Sequence, residues 1–496
     1  MLFVYVIDFH YLYGVKDQVL DISIVINAFN EKVDGLTKQL NTALVRIDVL
    51  EKENADLKKE NTILKERLLI YETPKSSQNS SIPPSKDSLK VQAEKANKLL
   101  ATRSLREKSD KPTGGQIGHK GHTLSFFAEP DAIEHHQADF CTHCGGDLSQ
   151  IDGIVVGTRQ SVDVPLPTRP IVTEHHVISK ICSCGHCCES KFPQSVRSSI
   201  SYGSNLRALV TYLSCCQYIP YQRMTDILRD CFGVKISQGT VDNILQDMKR
   251  KSQSAYDAIR TMAEQEPVIG GDETGTNING VLYWLWTFQA PKLTYVYCHK
   301  SRGQAAIDMH FKDGFKRSIL VTDRHASYFN TNAAGHQICL AHILRELNYL
   351  TELDKTQTWS SKLTELIRES IHKRKTEPWE DIDRKSIHQR FKELLELSTD
   401  TFHKKIIALQ KSLIKHKDNV FNFLNDPDIP YDNNASERAI RPLKVKQKVS
   451  GTFRNPEAKG ADVFCQIHTI TQTAKKNDQN PFSAVLATAK NFSPAI

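Results

Sequence analysis

Acidic residues that follow apolar segments are the side chains in this sequence best suited to chemistry. The apolar run at 268–271 ends on Asp272 and Glu273, and the run at 317–322 ends on Asp323. A carboxylate at the end of a buried strand is unfavourable unless it binds something positive, although an isolated acid of this kind is more often part of a hairpin loop. Two neighbouring carboxylates repel each other unless a divalent cation lies between them, and oxygen ligands suit Mg²⁺ or Mn²⁺. We therefore expect Asp272 and Asp323 to bind such a cation together.

A third acid, Glu437, lies in the segment Asp432-Asn-Asn-Ala-Ser-Glu-Arg-Ala-Ile-Arg-Pro442. One of the two Asn residues is expected to cap a helix, with Glu437 in its first turn. A two-metal phosphoryl-transfer site needs a further carboxylate, and Glu437 is the best candidate, although an acid that only stabilises a helix N-terminus would fit the same position. The basic residues that follow are expected to hold DNA phosphates: Arg438, Arg441, Lys444 and Lys448.

Strand-like segments surround the first two acids. A turn at 277–280 leads into an aromatic and β-branched run at 281–288, and a third run covers 293–299. Three antiparallel strands, a helix and a fourth strand ending in an acid follow the order of a ribonuclease H-like sheet. The first and fourth strands are neighbours in that order, which would bring Asp272 and Asp323 together. Because side chains alternate across a strand, Glu273 is expected to point away from the metal.

More than a hundred mostly helical residues separate Asp323 from Glu437, so a helical insertion is expected before the last catalytic helix. The insertion begins near Cys339 and His342, which could share one face of a helix. We favour a packed helix face with His342 near the active site over a metal site with these two ligands.

Half of the 12 cysteines lie between 141 and 188, and their spacing is unlike that of a secreted disulfide framework. Two short-spaced pairs separated by a strand-like segment predict a tetrahedral, structural Zn²⁺ site. The second pair is chosen because its Cys-Gly step repeats that of the first; Cys184 with Cys187 is also compatible, and His143 and His186 are reserve ligands. The expected ligands are Cys141, Cys144, Cys182 and Cys184.

A heptad pattern at 33–71 predicts a long helix. Leucine recurs on one seam at Leu36, Leu50, Leu57 and Leu64. The other seam carries Leu40, Ile47, Asn54, Asn61 and Leu68. Leucine at one seam position and buried Asn at the other are typical of parallel two-stranded coiled coils. We therefore expect a homodimer or higher oligomer, in preference to a single amphipathic helix packed on its own chain.

Two further regions are expected to contact DNA. The segment 73–120 is rich in Ser, Pro and Lys, which is typical of a flexible linker that can lie along phosphates or act as a plain spacer. At 204–252, a helix, a glycine turn and a helix capped by Ser237 follow the helix-turn-helix pattern, although a packing module would look alike. In a helix-turn-helix, Gln238 and Asn243 would face DNA.

Composition places the chain among globular proteins with several domains: it has 496 residues, of which 39% are hydrophobic and 25% charged, and a net charge of +8. The positive charge is concentrated at 85–120 and 438–454, which suits a polyanionic partner. The apolar N-terminus carries Asp8 and His10, lacks the features of a signal peptide and is too short to span a membrane. We expect a cytoplasmic protein.

These segments together resemble bacterial DDE transposases of the insertion-sequence-sixty-six family. The similarity runs from about residue 30 to 475, and besides the cysteine pairs it rests on SSQNSSIPPSKD (76–87), GGQIGHKGHTL (114–124), YGSNLRALVTYLSCCQYIPYQR (202–223), GGDETGT (270–276), TDRHASY (322–328), CLAHILREL (339–347) and DNNASERAIRPLKVKQKVSGTFR (432–454). The resemblance implies the catalytic triad Asp272, Asp323 and Glu437. Three features depart from the family pattern: Leu340 where Trp is common, the Lys446-Gln-Lys448 segment, and the compressed second cysteine pair.

The resemblance implies a DNA transposase that cleaves insertion-element ends and joins the 3′-hydroxyl to target DNA by two-metal phosphoryl transfer. Expected partners are terminal inverted repeats, target DNA, further copies of the chain and accessory proteins from the same element, without a membrane, at the bacterial nucleoid. The alternatives are a catalytically inactive DNA-binding regulator and a ribonuclease H-like nuclease that only hydrolyses. The intact acids argue against the first, and the dimerising helix and DNA-binding segments favour strand transfer over the second.

We expect a multidomain α/β protein with a ribonuclease H-like core that contains a helical insertion and follows a coiled coil, a zinc-binding module and a helix-turn-helix region. The expected division is an unassigned extension, 1–29; a coiled coil, 30–72; a basic flexible linker, 73–125; the zinc-binding module, 126–196; the helical DNA-binding region, 197–264; the first part of the core, 265–335; the helical insertion, 336–427; the last part of the core, 428–476; and a C-terminal tail, 477–496.

Overall fold

The computed structural model describes residues 22–76, 79–80, 87–88, 91, 126–136, 138–152, 154–163, 169–184, 186–196, 198–451, 453 and 459–490. Most of the expected N-terminal extension and of the basic linker lies outside these residues. The chain divides into two units, one built on its first helix and the other on a large sheet. Among the described helices, none combines the length and apolar character needed to cross a membrane.

Among the described residues before the large sheet, the elements are helical except for one small hairpin. They are α1 (Ile22–Glu72), the hairpin β1 (Ser179–Ile181) and β2 (Cys187–Glu189), and the helices α2 (Ser204–Cys215), α3 (Tyr221–Phe232), α4 (Gln238–Lys251) and α5 (Gln253–Gln265). Helix α3 ends at Gly233, which is left-handed with φ +64°. Ser237 Oγ then accepts a hydrogen bond from Thr240 N and caps α4, as predicted.

A five-stranded mixed sheet follows and carries the first two acids. Its elements in chain order are β3 (Val268–Ile278), β4 (Val281–Ala290), β5 (Leu293–His299), α6 (Gln304–His310), β6 (Phe315–Thr322), α7 (Ala326–Phe329) and β7 (Ala333–Ile338). The strand order is β5-β4-β3-β6-β7; β4 is antiparallel to both β3 and β5, and β6 is parallel to both β3 and β7. The predicted pairing of the first and fourth strands is confirmed, because Val268–Gly270 of β3 pair with Ile319–Val321 of β6.

Strand β7 is not predicted by the sequence pattern. Its segment, AAGHQI, contains a single β-branched residue and no alternation of apolar and polar side chains, so it carries little local strand signal. It forms because the free edge of β6 offers unpaired backbone groups, and the two strands pair in parallel up to Thr322 and Ile338. Residues 336–338, assigned above to the helical insertion, therefore belong to the sheet.

Helices complete the described chain after the sheet. They are α8 (Leu340–Leu353), α9 (Trp359–Thr376), α10 (Arg384–Glu396), α11 (Lys404–Lys415), α12 (Asn434–Ser450), α13 (Lys459–Lys476) and α14 (Pro481–Ala489). The insertion consists of α8 to α11. Helix α14 buries Val485 and Ala489 in a core shared with α2, so the segment expected to be a tail contains a helix of the core.

Helices α2 to α4 are joined to α12, α13 and α14 by this shared core. Lys249 of α4 pairs with Asp462 of α13, with Nζ and Oδ2 separated by 3.4 Å. Gln466 Nε2 donates a hydrogen bond to the backbone oxygen of Lys249 at 2.6 Å. Met224, Leu245 and Phe464 lie in the same apolar cluster, which forms the core between α2 to α4 and α12 to α14. Helices α2 to α4, which contain the predicted helix-turn-helix, are therefore packed on the helices that follow α11.

The two faces of the sheet have different coverings. One face is an aromatic layer packed against α5, α6 and α7 and formed by Trp286, Phe288, Tyr295 and Tyr297. The other face packs against α12 and α13 through Leu285 and Val296. These coverings decide what each side chain of β3 meets.

Register places the two neighbouring acids of β3 on opposite faces. Asp272 pairs with Thr287 of β4, and Glu273 pairs with Trp286. Residues directly opposite each other in antiparallel strands point to the same face. Asp272 therefore lies on the face covered by α12, and Glu273 lies on the aromatic face.

Helix α1 leaves its predicted seam open in the single chain. It runs for 51 residues without a break. The exposed fractions of its seam leucines lie between 47% and 59%: Leu36, Leu50, Leu57 and Leu64. Burial within the chain thus contributes little to the stability of this helix.

Candidate active site

Asp272 and Asp323 lie where two neighbouring strands part. Hydrogen-bonded pairing between β3 and β6 ends at Gly270 and Val321; Asp272 follows two residues later, and Asp323 comes directly after β6. Each carboxylate accepts, through Oδ1, a 2.9 Å hydrogen bond from the backbone N–H of a residue that follows it closely. Both acids are thus held by their own backbone near the point where β3 and β6 part.

The three predicted acids interact electrostatically. The pKa of Asp272 is raised to about 8, first by burial and then by the negative charges of Glu273, Asp323 and Glu437. Burial is the larger cause, and the neighbouring carboxylates add to it because like charges disfavour the ionised form. The fold therefore brings Asp323 and Glu437, which are distant in sequence, into the neighbourhood of Asp272.

Glu437 lies in the first turn of α12, as predicted, and faces the helix that opens the insertion. Its Oε1 lies 3.4 Å from Nη2 of Arg345 and 3.8 Å from Nε2 of His342. Burial and the charge of Arg345 lower the pKa of His342, although Glu437 and Asp323 act in the opposite direction. His342 is therefore a neutral imidazole beside the acids at neutral pH, which agrees with its expected place near the site.

Arg345 is the neighbour of the acids that sequence reasoning missed. It follows His342 by three residues on α8, so both side chains lie on one face of that helix. This spacing within CLAHILREL was the available signal. Arg345 contributes the positive charge closest to Glu437 among the contacts described for that carboxylate.

Glu273 has a structural setting on the aromatic face. Its side chain is 1% exposed, and its Oε1 accepts hydrogen bonds from Nη2 and Nε of Arg302 at 2.7 and 2.9 Å. The hydroxyl of Tyr328 donates to its other oxygen. The guanidinium of Arg302 lies 4.8 Å from the ring centroid of Trp284. Glu273 thus joins β3 to the segments after β5 and β6, and it points away from the other acids, as expected.

The donor set suits a hard divalent cation, although its side chains are not arranged as a coordination shell. In the part of the chain that the structure describes, no group of three or more His, Cys, Asp or Glu side chains is placed to hold a metal ion. Glu437 is engaged by Arg345 instead. The excess negative charge around Asp272 is nevertheless what a divalent cation relieves, and Mg²⁺ and Mn²⁺ prefer carboxylate oxygens.

Helix α12 presents a basic face next to Glu437. All four predicted phosphate contacts are exposed and follow one another at spacings of three or four residues: Arg438, Arg441, Lys444 and Lys448. Lys446 differs, because its side chain is buried and its Nζ donates to the backbone oxygen of Ser214 at 3.3 Å. Burial lowers the pKa of Lys446. Of the basic run, Lys446 therefore belongs to the core and the other four side chains to the surface.

The predicted DNA-reading residues of α4 are also on the surface. Gln238 and Asn243 are both exposed. Gln238 Nε2 donates a 2.7 Å hydrogen bond to Oε1 of Gln222 on α3, which orients the amide at the start of α4. Both residues thus lie on the same helix and are accessible to a binding partner.

The cysteine pairs form two separate knuckles. Gly145 N donates to the backbone oxygen of Cys141 at 2.9 Å, and the pKa of Cys141 is lowered by backbone N–H groups and by the thiol of Cys144. In the second knuckle, backbone and side-chain hydrogen bonds from Cys184 lower the pKa of Cys182. Cys187 lies 2.8 Å from the hydroxyl of Ser179 instead. These contacts favour Cys182 with Cys184, but the two pairs do not meet as one ligand group among the described residues.

Comparison with known protein families gives two matches. A model described as the transposase IS66 family matches residues 199–461, which is just over half of the chain and includes the three acids. A family of unknown function (DUF6444) matches residues 32–125, which carry the heptad pattern and the basic linker. No curated protein matches the chain.

Proposed function

The chain belongs to the IS66 transposase family, and from this membership we propose that it cleaves the ends of an insertion element and joins the freed 3′-hydroxyl to target DNA. Membership rests on the match over residues 199–461, which confirms the resemblance found in the sequence motifs. A transposase is a DNA-processing enzyme. The cleavage and joining steps and the residues that perform them are the content of the proposal.

The observation that carries the proposal is the convergence of three acids from three separate elements. The charges of Asp323, after β6, and Glu437, on α12, both raise the pKa of Asp272 on β3. The strand order β5-β4-β3-β6-β7, with an antiparallel half and a parallel half, supports a ribonuclease H-like core. Acids placed where the first and fourth strands part are suitably placed for phosphoryl transfer.

In the proposed site, Asp272, Asp323 and Glu437 hold Mg²⁺ or Mn²⁺. When bound, the cations would supply the positive charge that favours formation of the nucleophile and stabilises an in-line displacement at phosphorus. Arg345 would exchange its ion pair with Glu437 for a phosphate oxygen, since its guanidinium already lies at the acids. His342, uncharged at neutral pH, leaves the acidic character of the site intact.

DNA contacts beyond the acids are proposed for exposed groups on two helices. The basic face of α12 would hold phosphates, and Gln238 and Asn243 of α4 would read the terminal inverted repeats. The basic linker at 73–125 would add phosphate contacts, which supply most of the affinity of such complexes. We also propose that accessory proteins from the same element take part in the reaction and that the chain acts at the bacterial nucleoid.

A structural Zn²⁺ is proposed for Cys141, Cys144, Cys182 and Cys184. The support is the shape of the two knuckles together with the lack of burial around them, since most described side chains at 126–196 are exposed. Val156 and Ile171, for example, are 93% and 98% exposed. A module that buries so little apolar surface needs another source of stability, and metal ligation is the usual one.

Dimerisation through α1 is proposed from the exposed seam. We expect Leu50→Lys to dissociate the assembly, because a charge at a leucine seam position would be buried in the interface of a coiled coil. Sedimentation of the full chain at several concentrations measures the change. Val45→Lys is the matched control: Val45 is 64% exposed and lies five residues after Leu40, on the outer face of the helix. Equal masses for both variants would contradict the proposed seam.

The proposed reaction is tested on DNA that carries the ends of the element. With Mg²⁺ or Mn²⁺ we expect nicks that leave a 3′-hydroxyl, followed by joined products. Removal of divalent cations by dialysis should abolish both products, and Mg²⁺ but not Zn²⁺ should restore them. If the chain is inactive alone, the same assay is made with the accessory proteins present. Cleavage without joining under these conditions would favour the nuclease alternative, and cleavage without any divalent cation would contradict the proposed chemistry.

A further inference from the structure

The point where β3 and β6 part is filled by the residue that precedes α12. Pairing of the two strands ends at Gly270 and Val321, so the backbone oxygen of Gly271 is no longer opposite β6. Asn433 Nδ2 donates to that oxygen at 2.6 Å. The amide therefore supplies the hydrogen-bond donor that a paired β6 backbone would otherwise provide to Gly271. It lies between the strands that lead to Asp272 and Asp323.

Asn433 is also tied to the β6 side of the gap. Its backbone N–H donates to Sγ of Cys339 at 3.2 Å, and the backbone N–H of Cys339 donates to the oxygen of Thr322 at 2.8 Å. Thr322 directly precedes Asp323. Asn433 thus connects the backbone beside Asp272 with the backbone beside Asp323, while the chain continues from it into the helix turn that carries Glu437.

Asn433 occupies the N-cap position of α12, where one of the two Asn residues was expected, but it does not cap the helix with its side chain. Its side chain makes no capping hydrogen bond, and Asp432 Oδ1 accepts from Asn434 N at 3.1 Å instead. The side chain of Asn433 is 3% exposed. Its orientation towards β3 is therefore not explained by helix capping.

The strand makes room for this contact with a glycine. A methyl group at Gly270 would overlap Oγ of Ser436 and would lie 2.9 Å from Oδ1 of Asn433. Both oxygens are buried and have no hydrogen-bond partner among the described residues. Contact this close between helix and strand is possible only where the strand carries no side chain. It accounts for the first glycine of the Gly270-Gly271 pair, which the sequence reasoning left unexplained.

We propose that Asn433 is a positioning residue that sets the separation of Asp272 and Asp323 and docks the helix turn of Glu437 against them. The inference deepens the proposed function and rests on it. Asn433 acts through the three acids and the backbone around them, and Gly270 allows the close approach on which the contact depends.

The test compares Asn433→Ala with Asn434→Ala in the full chain. Asn434 is the adjacent residue, and its amide donates to Asp432 rather than to the sheet. We expect Asn433→Ala to weaken Mn²⁺ binding and to lower kcat for cleavage of element ends, each by about 10–100-fold, with little change in KM for DNA. Mn²⁺ binding is measured by calorimetry without DNA, and thermal unfolding is recorded for each variant. Asn434→Ala should bind Mn²⁺ as the wild type does.

A second pair of variants approaches the contact from the strand. Gly270→Ala should show the same loss of Mn²⁺ affinity, because the added methyl group pushes the helix away. Gly275→Ala is its control: on the same strand, an added methyl group would lie 3.1 Å from Cδ1 of Leu282, a side-chain end that can move. This pair decides the matter if Asn433→Ala does not fold.

The outcomes separate this inference from the proposed function. Suppose that the wild type binds Mn²⁺ and cleaves DNA. If folded Asn433→Ala or Gly270→Ala then has unchanged Mn²⁺ affinity and kcat, the inference is overturned and the proposed function stands. A lower melting temperature with unchanged Mn²⁺ affinity also overturns it, since Asn433 would then be merely structural. A wild type that does not bind Mn²⁺ overturns the proposed function and the inference with it.

Discussion

Replacement of Asp323 by Asn is expected to reduce DNA cleavage and joining by at least about 10³-fold, since metal-ion stabilisation of the transition state contributes several kcal/mol. The amide keeps the size of the carboxylate and can still accept the hydrogen bond from His325 N, so the turn after β6 is retained. The change removes a negative charge that acts on Asp272. Single-turnover cleavage of element ends at saturating DNA and Mg²⁺ measures the effect on the chemical step.

Asp313→Asn is the matched control for this experiment. Asp313 lies before β6, its side chain is 84% exposed, and it pairs with Lys316 at 3.1 Å on the surface. Its variant should cleave at the wild-type rate. Equal rates for the wild type and Asp323→Asn would show that the acids are assigned wrongly. Thermal unfolding of both variants distinguishes a chemical defect from a folding defect.

Replacement of Glu273 by Ala is expected to lower the free energy of unfolding by about 3 kcal/mol. The variant loses the acceptor of two charge-assisted hydrogen bonds from Arg302 and leaves the buried hydroxyl of Tyr328 without its carboxylate. Denaturant unfolding of the full chain measures the change, and tryptophan fluorescence reports on it because Trp284 and Trp286 lie beside this cluster.

Two variants serve as controls for the role of Glu273. Glu273→Gln keeps an acceptor for both partners and should retain most of the stability, whereas Glu377→Ala removes an exposed carboxylate and should have almost no effect. At a temperature where it remains folded, Glu273→Ala should still cleave DNA, because the side chain lies on the face opposite Asp272. A variant of wild-type stability without cleavage would instead place Glu273 in the active site.

Local patterns were sufficient to predict the strands that carry the acids. An apolar run that ends in a carboxylate indicates a buried strand with a polar end, and β3 to β6 form at the predicted places. The same holds for the cap at Ser237 and for Glu437 in the first turn of α12, since caps and helix starts depend on a few adjacent residues. The pairing of the first and fourth strands was predicted from the order of a ribonuclease H-like sheet, and β3 does pair with β6.

Features that depend on distant partners were not predictable in this way. Strand β7 lacks a local signal and forms only against β6. A run of basic residues cannot indicate that Lys446 is turned inward, because that choice is made by the helices packed against α12. The packed helix α14 has the same origin, since its apolar residues become core only when α2 lies against them.

The sequence by itself determined the family and predicted the three acids and the elements that carry them, because these depend on residue types, short spacings and periodicity. Only the tertiary structure decided how the acids are held. It turned Asp272 towards α12 and Glu273 towards Arg302, engaged Glu437 with Arg345, and placed Asn433 between the parting strands. The physical reason is the sequence separation of the residues involved. A local pattern indicates the backbone hydrogen bonds and the buried side of one element. The contacts that orient a carboxylate come instead from side chains tens to hundreds of residues away, and only packing brings them together.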